Sequence, residues 1–166
     1  MFRLHDAVTR AMFILGAIAL LGIVGSYLVE VVMRYVFNAP TLWSGSAVAY
    51  LLAVSAMLGM PELARTSGHI AITMLEDRMT PARRHSHRRQ VAALTAAICV
   101  AAAWMVWTET VRQGQSGTTN ALAVRIPKVW ISAVITYGFT NTALYYLRAA
   151  LWPASLPWDT APRQEV

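Results

Sequence analysis

Charge is what this 166-residue chain has least of. Only 13% of its residues are Asp, Glu, Lys or Arg, against about 25% in soluble domains. The scarcity is local. Residues 11–29, 42–61, 90–108 and 129–147 contain no Asp, Glu, Lys, Arg or His. Ionisable groups at mid-depth in a bilayer mark proton relays, ion sites and substrate paths, because burying them is costly. Their absence argues against a self-contained proton-driven pump, which would carry a mid-membrane carboxylate. Glu30 and Glu109 stand too near the run ends for that role. The four histidines, His5, His69, His85 and His87, all lie outside the runs. A bilayer haem anchor, with facing histidine ligands, is therefore not expected. His85-Ser86-His87 reads as solvated basic surface. The one cysteine, Cys99, can form no internal disulfide, and metal-ligand spacing is absent. No nucleophile–base–acid arrangement or phosphate-cradling glycine loop appears. Neither an enzyme nor a bound cofactor or metal is expected.

What is present is apolar: 57% of the chain. The expected architecture is all-α and integral to a membrane, with four spans near 11–32, 42–61, 90–110 and 129–151. Each run is about 20 residues, enough to cross the hydrocarbon layer as a helix. The whole of 1–166 reads as a single membrane domain. The apolar run at 11–32 is longer than a signal-peptide core and lacks a small-x-small cleavage site, so it is expected to be retained. Gly22 and Ser26 share a helical face, suited to close packing within this chain or against another. Pro61 stands near the end of the second span. Between spans 2 and 3 lies a polar connector with a short interfacial segment, His69–Glu76. A helix follows, with Thr80 as its cap and Pro81 as its first residue. That helix extends the third span with Arg83, Arg84, Arg88 and Arg89. Trp130 and Trp152 bracket the fourth span as interface anchors. Residues 153–166 hold three prolines and read as an irregular tail.

The net charge is +6. The basic residues flank apolar runs, so topology explains them better than nucleic-acid binding does. Assigning segments to alternate sides puts ten Lys and Arg on one side and four on the other. The positive-inside rule then makes both termini and the Arg-rich connector cytoplasmic. The cluster Arg83, Arg84, Arg88 and Arg89 could bind anionic lipid headgroups or act only as a topology determinant. The acids have partners at helical spacing: Asp6 with Arg10, Glu30 with Arg34, Glu62 with Arg65, Glu109 with Arg112. Such pairs let helix ends sit in the headgroup layer, or else Glu30 or Arg34 reaches a partner subunit. Thr136, Thr140 and Asn141 form a polar patch in the fourth span. Internal packing is favoured for it, with Asn141 as the residue to test for contact with another chain.

The connector between the first two spans has the chemistry of a membrane surface. Tyr35, Phe37 and Trp43 suit the headgroup level, and Arg34 can reach the polar layer. Pro40 disfavours helix at Ala39, so the first helix should end by then and the two spans should be antiparallel neighbours. Arg34-Tyr-Val-Phe-Asn-Ala-Pro40 followed by Trp43-Ser44 resembles the small membrane subunit of TRAP (tripartite ATP-independent periplasmic) transporters. Gly68-His69-Ile70 and Ile126-Pro127-Lys128-Val129-Trp130 fall where that family has similar segments, and the resemblance runs from about Arg10 to Leu151. Gly45-Ser46 stand where the family pattern has two acidic residues. The resemblance implies a non-catalytic subunit in the bacterial inner membrane. It would brace a large multi-span transport subunit and help dock a periplasmic substrate-binding protein. Uptake, commonly of an organic acid, would be driven by an ion gradient, commonly sodium. Partner contacts would then come from Arg34, Tyr35, Phe37, Asn38, Pro40 and Trp43, and from Arg125, Pro127, Lys128 and Trp130. On the residues alone, two other readings stay open: a self-contained homo-oligomeric transporter or channel, and a membrane anchor for another complex.

Overall fold

The computed structural model describes residues 3–66, 80–117 and 127–152, with backbone alone at 81, 82, 84 and 85. The described residues form four helices: α1 Arg3–Tyr35, α2 Ser44–Thr66, α3 Pro81–Ser116 and α4 Lys128–Leu151. The interfacial segment expected near His69, the Gly68–Ile70 motif and the tail from 153 lie outside them. By length and composition α1, α2 and α3 are apolar enough to cross a membrane. Four such spans are expected from the sequence, and the fourth helix is not among the three. It carries Ser132, Thr136, Tyr137, Thr140, Asn141, Thr142, Tyr145 and Tyr146, which dilute its hydropathy. Its 24 residues still extend about 36 Å.

The helices contact in the spatial order α1, α2, α4, α3. Small residues let α1 and α2 approach. A Cβ at Gly16 would lie 3.2 Å from the Ser55 carbonyl oxygen, and one at Gly22 3.2 Å from Leu51 Cδ1. The Gly22 face thus packs within the chain. Ser26 spends its hydroxyl on the Gly22 carbonyl of its own helix, at 2.8 Å. Gly138 brings α4 against the Met57 backbone of α2. Seven residues on, Ala64 of α2 joins Tyr145 and Ala149 of α4 and Ala92 of α3 in one core cluster. The parallel progression from 57 to 64 and from 138 to 145 means α2 and α4 run in the same direction. One end of the bundle therefore holds the α1–α2 corner and the start of α4. The other holds the start of α1 and the end of α4.

Two boundaries differ from those expected. α2 starts at Ser44 rather than Leu42, because Leu42 and Trp43 belong to the corner. It continues through Pro61 to Thr66. Proline removes one backbone bond from a helix, here the one to the Met57 carbonyl, and Gly138 of α4 lies against that carbonyl. At the start of α3, Thr80 is extended and Pro81 follows, but the Thr80 side chain makes no capping bond. Most apolar side chains of α1 and α3, Leu21 and Trp104 among them, face outward. Apolar surroundings are the environment that such a surface requires.

Candidate functional site

The corner between α1 and α2 is built around one carboxylate. Glu30 sits one turn before the end of α1 and is buried, at 7% exposure. Its Oε1 accepts from Arg34 Nη2 at 2.6 Å and from Nε at 3.2 Å. Its Oε2 accepts from the Thr41 backbone N–H and the Ser44 hydroxyl, both at 3.0 Å, and also from the Thr41 hydroxyl. A buried carboxylate needs such a full set of donors. The chain reverses at Asn38, whose φ of 53° lies in the left-handed region that Asn tolerates. The Ala39 N–H donates back to the Met33 carbonyl at 2.9 Å. The sequence spacing exposed the Glu30–Arg34 pair. It did not expose Thr41 and Ser44, whose hydroxyls return to Glu30 only because the corner folds. Glu30 therefore serves the corner from inside.

This clamp leaves its neighbours outward. Arg34, Tyr35, Phe37, Asn38, Pro40 and Trp43 are all exposed, with Tyr35 at 80% and Leu42 at 83%. At the same end of the bundle, Pro127 and Trp130 are exposed and Lys128 is half-buried. Arg125 lies outside the described residues. Glu109 pairs with Arg112 at 2.8 Å and accepts from Gln113 Nε2 at 2.8 Å. The Ser132 hydroxyl donates to Gln113 Oε1 at 2.8 Å, tying α4 to the end of α3. Lys128 is near enough to act electrostatically on Glu109. Among the described residues, the structure thus brings Arg34, Tyr35, Phe37, Asn38, Pro40 and Trp43 to the same end as Pro127, Lys128 and Trp130, an apolar and aromatic rim with Arg34 and Lys128 beside it. At the opposite end, Arg83 and Arg89 are exposed and Arg88 is half-buried on the first turns of α3. The side chain of Arg84 lies outside the described residues.

That opposite end holds a second polar cluster, which spacing rules missed. Asp6 does not pair with Arg10, four residues on. Its Oδ1 accepts from Arg148 Nη1 at 3.1 Å and from the Tyr145 hydroxyl at 2.9 Å. Asn141 does not reach outward. It is buried, and its Nδ2 donates to Thr9 Oγ1 at 3.1 Å and to the Tyr137 hydroxyl at 3.0 Å. Both amide hydrogens are then used, so its Oδ1, 2.6 Å from His5 Nε2, accepts from that nitrogen. Tyr145 has one hydrogen. The charged Asp6 oxygen takes it, so the Thr9 hydroxyl, 3.2 Å away, donates to the phenol oxygen. The His5 ring stacks on Tyr145 at 4.5 Å between centroids. Glu62 and Arg65 pair nearby on α2, with Arg65 Nε donating to Glu62 Oε2 at 2.7 Å. The useful signal in the sequence was Asn141, Tyr145 and Arg148 at spacing four and three on one face of α4. It called for polar partners from another helix.

The outer face between α3 and α4 carries an apolar groove. One section, of about 490 Å³, is lined by residues including Trp104, Trp107, Thr140 and Leu147. The adjoining section, of about 400 Å³, is walled on one side by His5 and Val8 of α1. Thr136 and Thr140 lie in the walls of both. Thr136 donates to the Ser132 carbonyl of its own helix at 2.8 Å.

The arrangement is one of structural clamps, one at each end of an apolar bundle. A search of curated proteins finds no match to this chain. Residues 23–154 match the family described as tripartite ATP-independent periplasmic transporters, DctQ component. The matched stretch holds the clamped corner, the rim and all of α2, α3 and α4. The chain belongs to this family, the small membrane component of TRAP transporters.

Proposed function

We propose that this chain braces the large multi-span subunit of its transporter and helps dock the periplasmic substrate-binding protein. On this reading uptake of an organic acid is driven by an ion gradient, with sodium the commonest coupling ion. The chain sits in the bacterial inner membrane with all four helices spanning. Both termini and Arg83, Arg84, Arg88 and Arg89 face the cytoplasm and anionic lipid headgroups. The corner and the loop before α4 face the periplasm. The charge asymmetry of ten against four supports this orientation.

The observation that carries the reading is the Glu30 clamp. Five donor contacts satisfy the buried carboxylate, while Tyr35, Val36, Phe37, Leu42 and Trp43 stand exposed around it. A rigid support under an exposed aromatic rim is the form of a recognition surface. The four apolar runs lack ionisable groups, which fits a supporting role, with ion and substrate sites on the larger partner. The test is a mild-detergent pull-down of the tagged chain from its native membrane, read by mass spectrometry. A stoichiometric large multi-span partner is the expected result. Recovery of this chain alone, as a stable oligomer, would overturn the reading in favour of a self-contained transporter.

A further inference from the structure

The two ion pairs at the corner end of the bundle share one arrangement. Glu30 takes Arg34 Nε and Nη2 on a single oxygen. Glu109 takes the same two nitrogens of Arg112, one on each oxygen, both at 2.8 Å. Each carboxylate is also fixed by other donors. Thr41 and Ser44 hold Glu30. Gln113 holds Glu109, and its own Oε1 accepts from Ser132 of α4. Each arginine faces outward, its side chain 58% exposed at Arg34 and 76% at Arg112. A guanidinium has five N–H groups. Two serve the carboxylate, and neither Nη1 has an acceptor among the described residues. The paired arginines of the opposite end are covered instead, Arg65 at 22% and Arg148 at 9%.

Charge at this end is one-sided once the pairs are counted. Residues 30–44 and 109–128 hold four cations, Arg34, Arg112, Arg125 and Lys128, against two acids, Glu30 and Glu109. Both acids are bonded to arginine. No carboxylate there is left without a cation, and what remains to offer is positive charge and N–H donors. The complement of such a face is a surface that carries carboxylates. We propose that Arg112, held by Glu109 and Gln113, is a further docking contact, and that with Arg34 it binds carboxylates on the substrate-binding protein; this rests on the docking role proposed above. Arg34 ends α1 and Arg112 ends α3, the two outer helices of the order α1, α2, α4, α3. The two guanidinium groups therefore stand on different edges of the bundle. A guanidinium fixed before the encounter loses less freedom on binding than a loose one, and its planar fork suits a carboxylate. Glu109 is then a positioning residue, which acts through Arg112.

The test uses both membrane subunits assembled in lipid nanodiscs and titrated with the fluorescently labelled binding protein. Arg112→Gln should raise the Kd about three- to fivefold, within the range of exposed ion pairs, and should flatten its rise with salt. The melting temperature of the complex should not change, since Arg112 bonds only within its own helix. Glu109→Gln separates a held guanidinium from bare charge. It makes the face more positive by one unit, so simple attraction calls for a lower Kd. Loss of the fixed Arg112 calls for a higher one, and that is the expected result. A Kd unchanged in Arg112→Gln, or unchanged or lowered in Glu109→Gln, would overturn the proposal and leave the docking role standing. Absence of binding by the unmodified complex would overturn both.

Discussion

Gly138 of α4 faces the Met57 carbonyl oxygen of α2 so closely that a Cβ at position 138 would lie 2.7 Å from it. Pro61 stands four residues after Met57 and has no N–H to offer that carbonyl. The missing intrahelical bond and the missing side chain meet at one point. A glycine Cα–H can approach a carbonyl oxygen as a weak donor. The α2–α4 seam is thus built from two residues that helices ordinarily disfavour, each making room for the other.

Gly138→Ala should therefore destabilise the bundle, although alanine is the better helix former. Forcing a methyl group against a carbonyl costs about 1–3 kcal/mol when the backbone cannot give way. A methyl group added at Gly25 or Gly59 would meet nothing within 4 Å, so alanine there should be neutral or mildly stabilising. Thermal unfolding of the purified variants in detergent separates the two cases. An equal melting temperature for Gly138→Ala and Gly25→Ala would rule out the close seam.

At the corner, Glu30→Leu should release the loop without unfolding the helices. It leaves the Thr41 N–H and the Thr41 and Ser44 hydroxyls without their acceptor. An orphaned buried donor costs about 1–3 kcal/mol. Hydrogen exchange at the Thr41 amide reads the change directly. Its protection should fall sharply in Glu30→Leu and less in Glu30→Gln, which keeps one acceptor oxygen. Unchanged protection would mean that another group holds Thr41.

The chain's helical, membrane-spanning character was legible because it rests on length and on the absence of charge. The corner was legible because Asn38 and Pro40 are local signals. The polar clusters were not, because sequence spacing sees only one helix at a time. Asp6 has Arg10 one turn away, yet its oxygen is taken by Arg148 and Tyr145 from the far end of the chain. Internal packing is the favoured reading for the patch around Asn141, but spacing cannot name its partners on α1, Thr9 and His5. Pro61 read as a boundary, since its lost bond would favour an end. The small residues of the seam with α4 let the helix run on. Such contacts link positions about 130 residues apart, beyond any periodic pattern.

Tyr35→Ser combined with Phe37→Ser should leave the folded bundle intact. Both side chains are exposed, and changes at such positions alter stability by about 0.5 kcal/mol or less. Membrane abundance should stay normal while uptake by the assembled transporter falls. If uptake and copurification with the large subunit are both unchanged, the aromatic rim has no part in recognition.

Charge reversal in the second loop tests docking by a different physical route. Arg125→Glu with Lys128→Glu replaces two cations by two anions near the start of α4. Charges at the rim of an interface act mainly on the rate of encounter, and salt screens them over about 8 Å at physiological ionic strength. Uptake should therefore fall most at low ionic strength and low binding-protein concentration. Raising either should narrow the gap to the unmodified transporter. A variant that instead lowers uptake equally at all salt and binding-protein concentrations would place the defect after docking. Full activity under all conditions would remove this loop from the docking surface and leave the aromatic corner as its candidate.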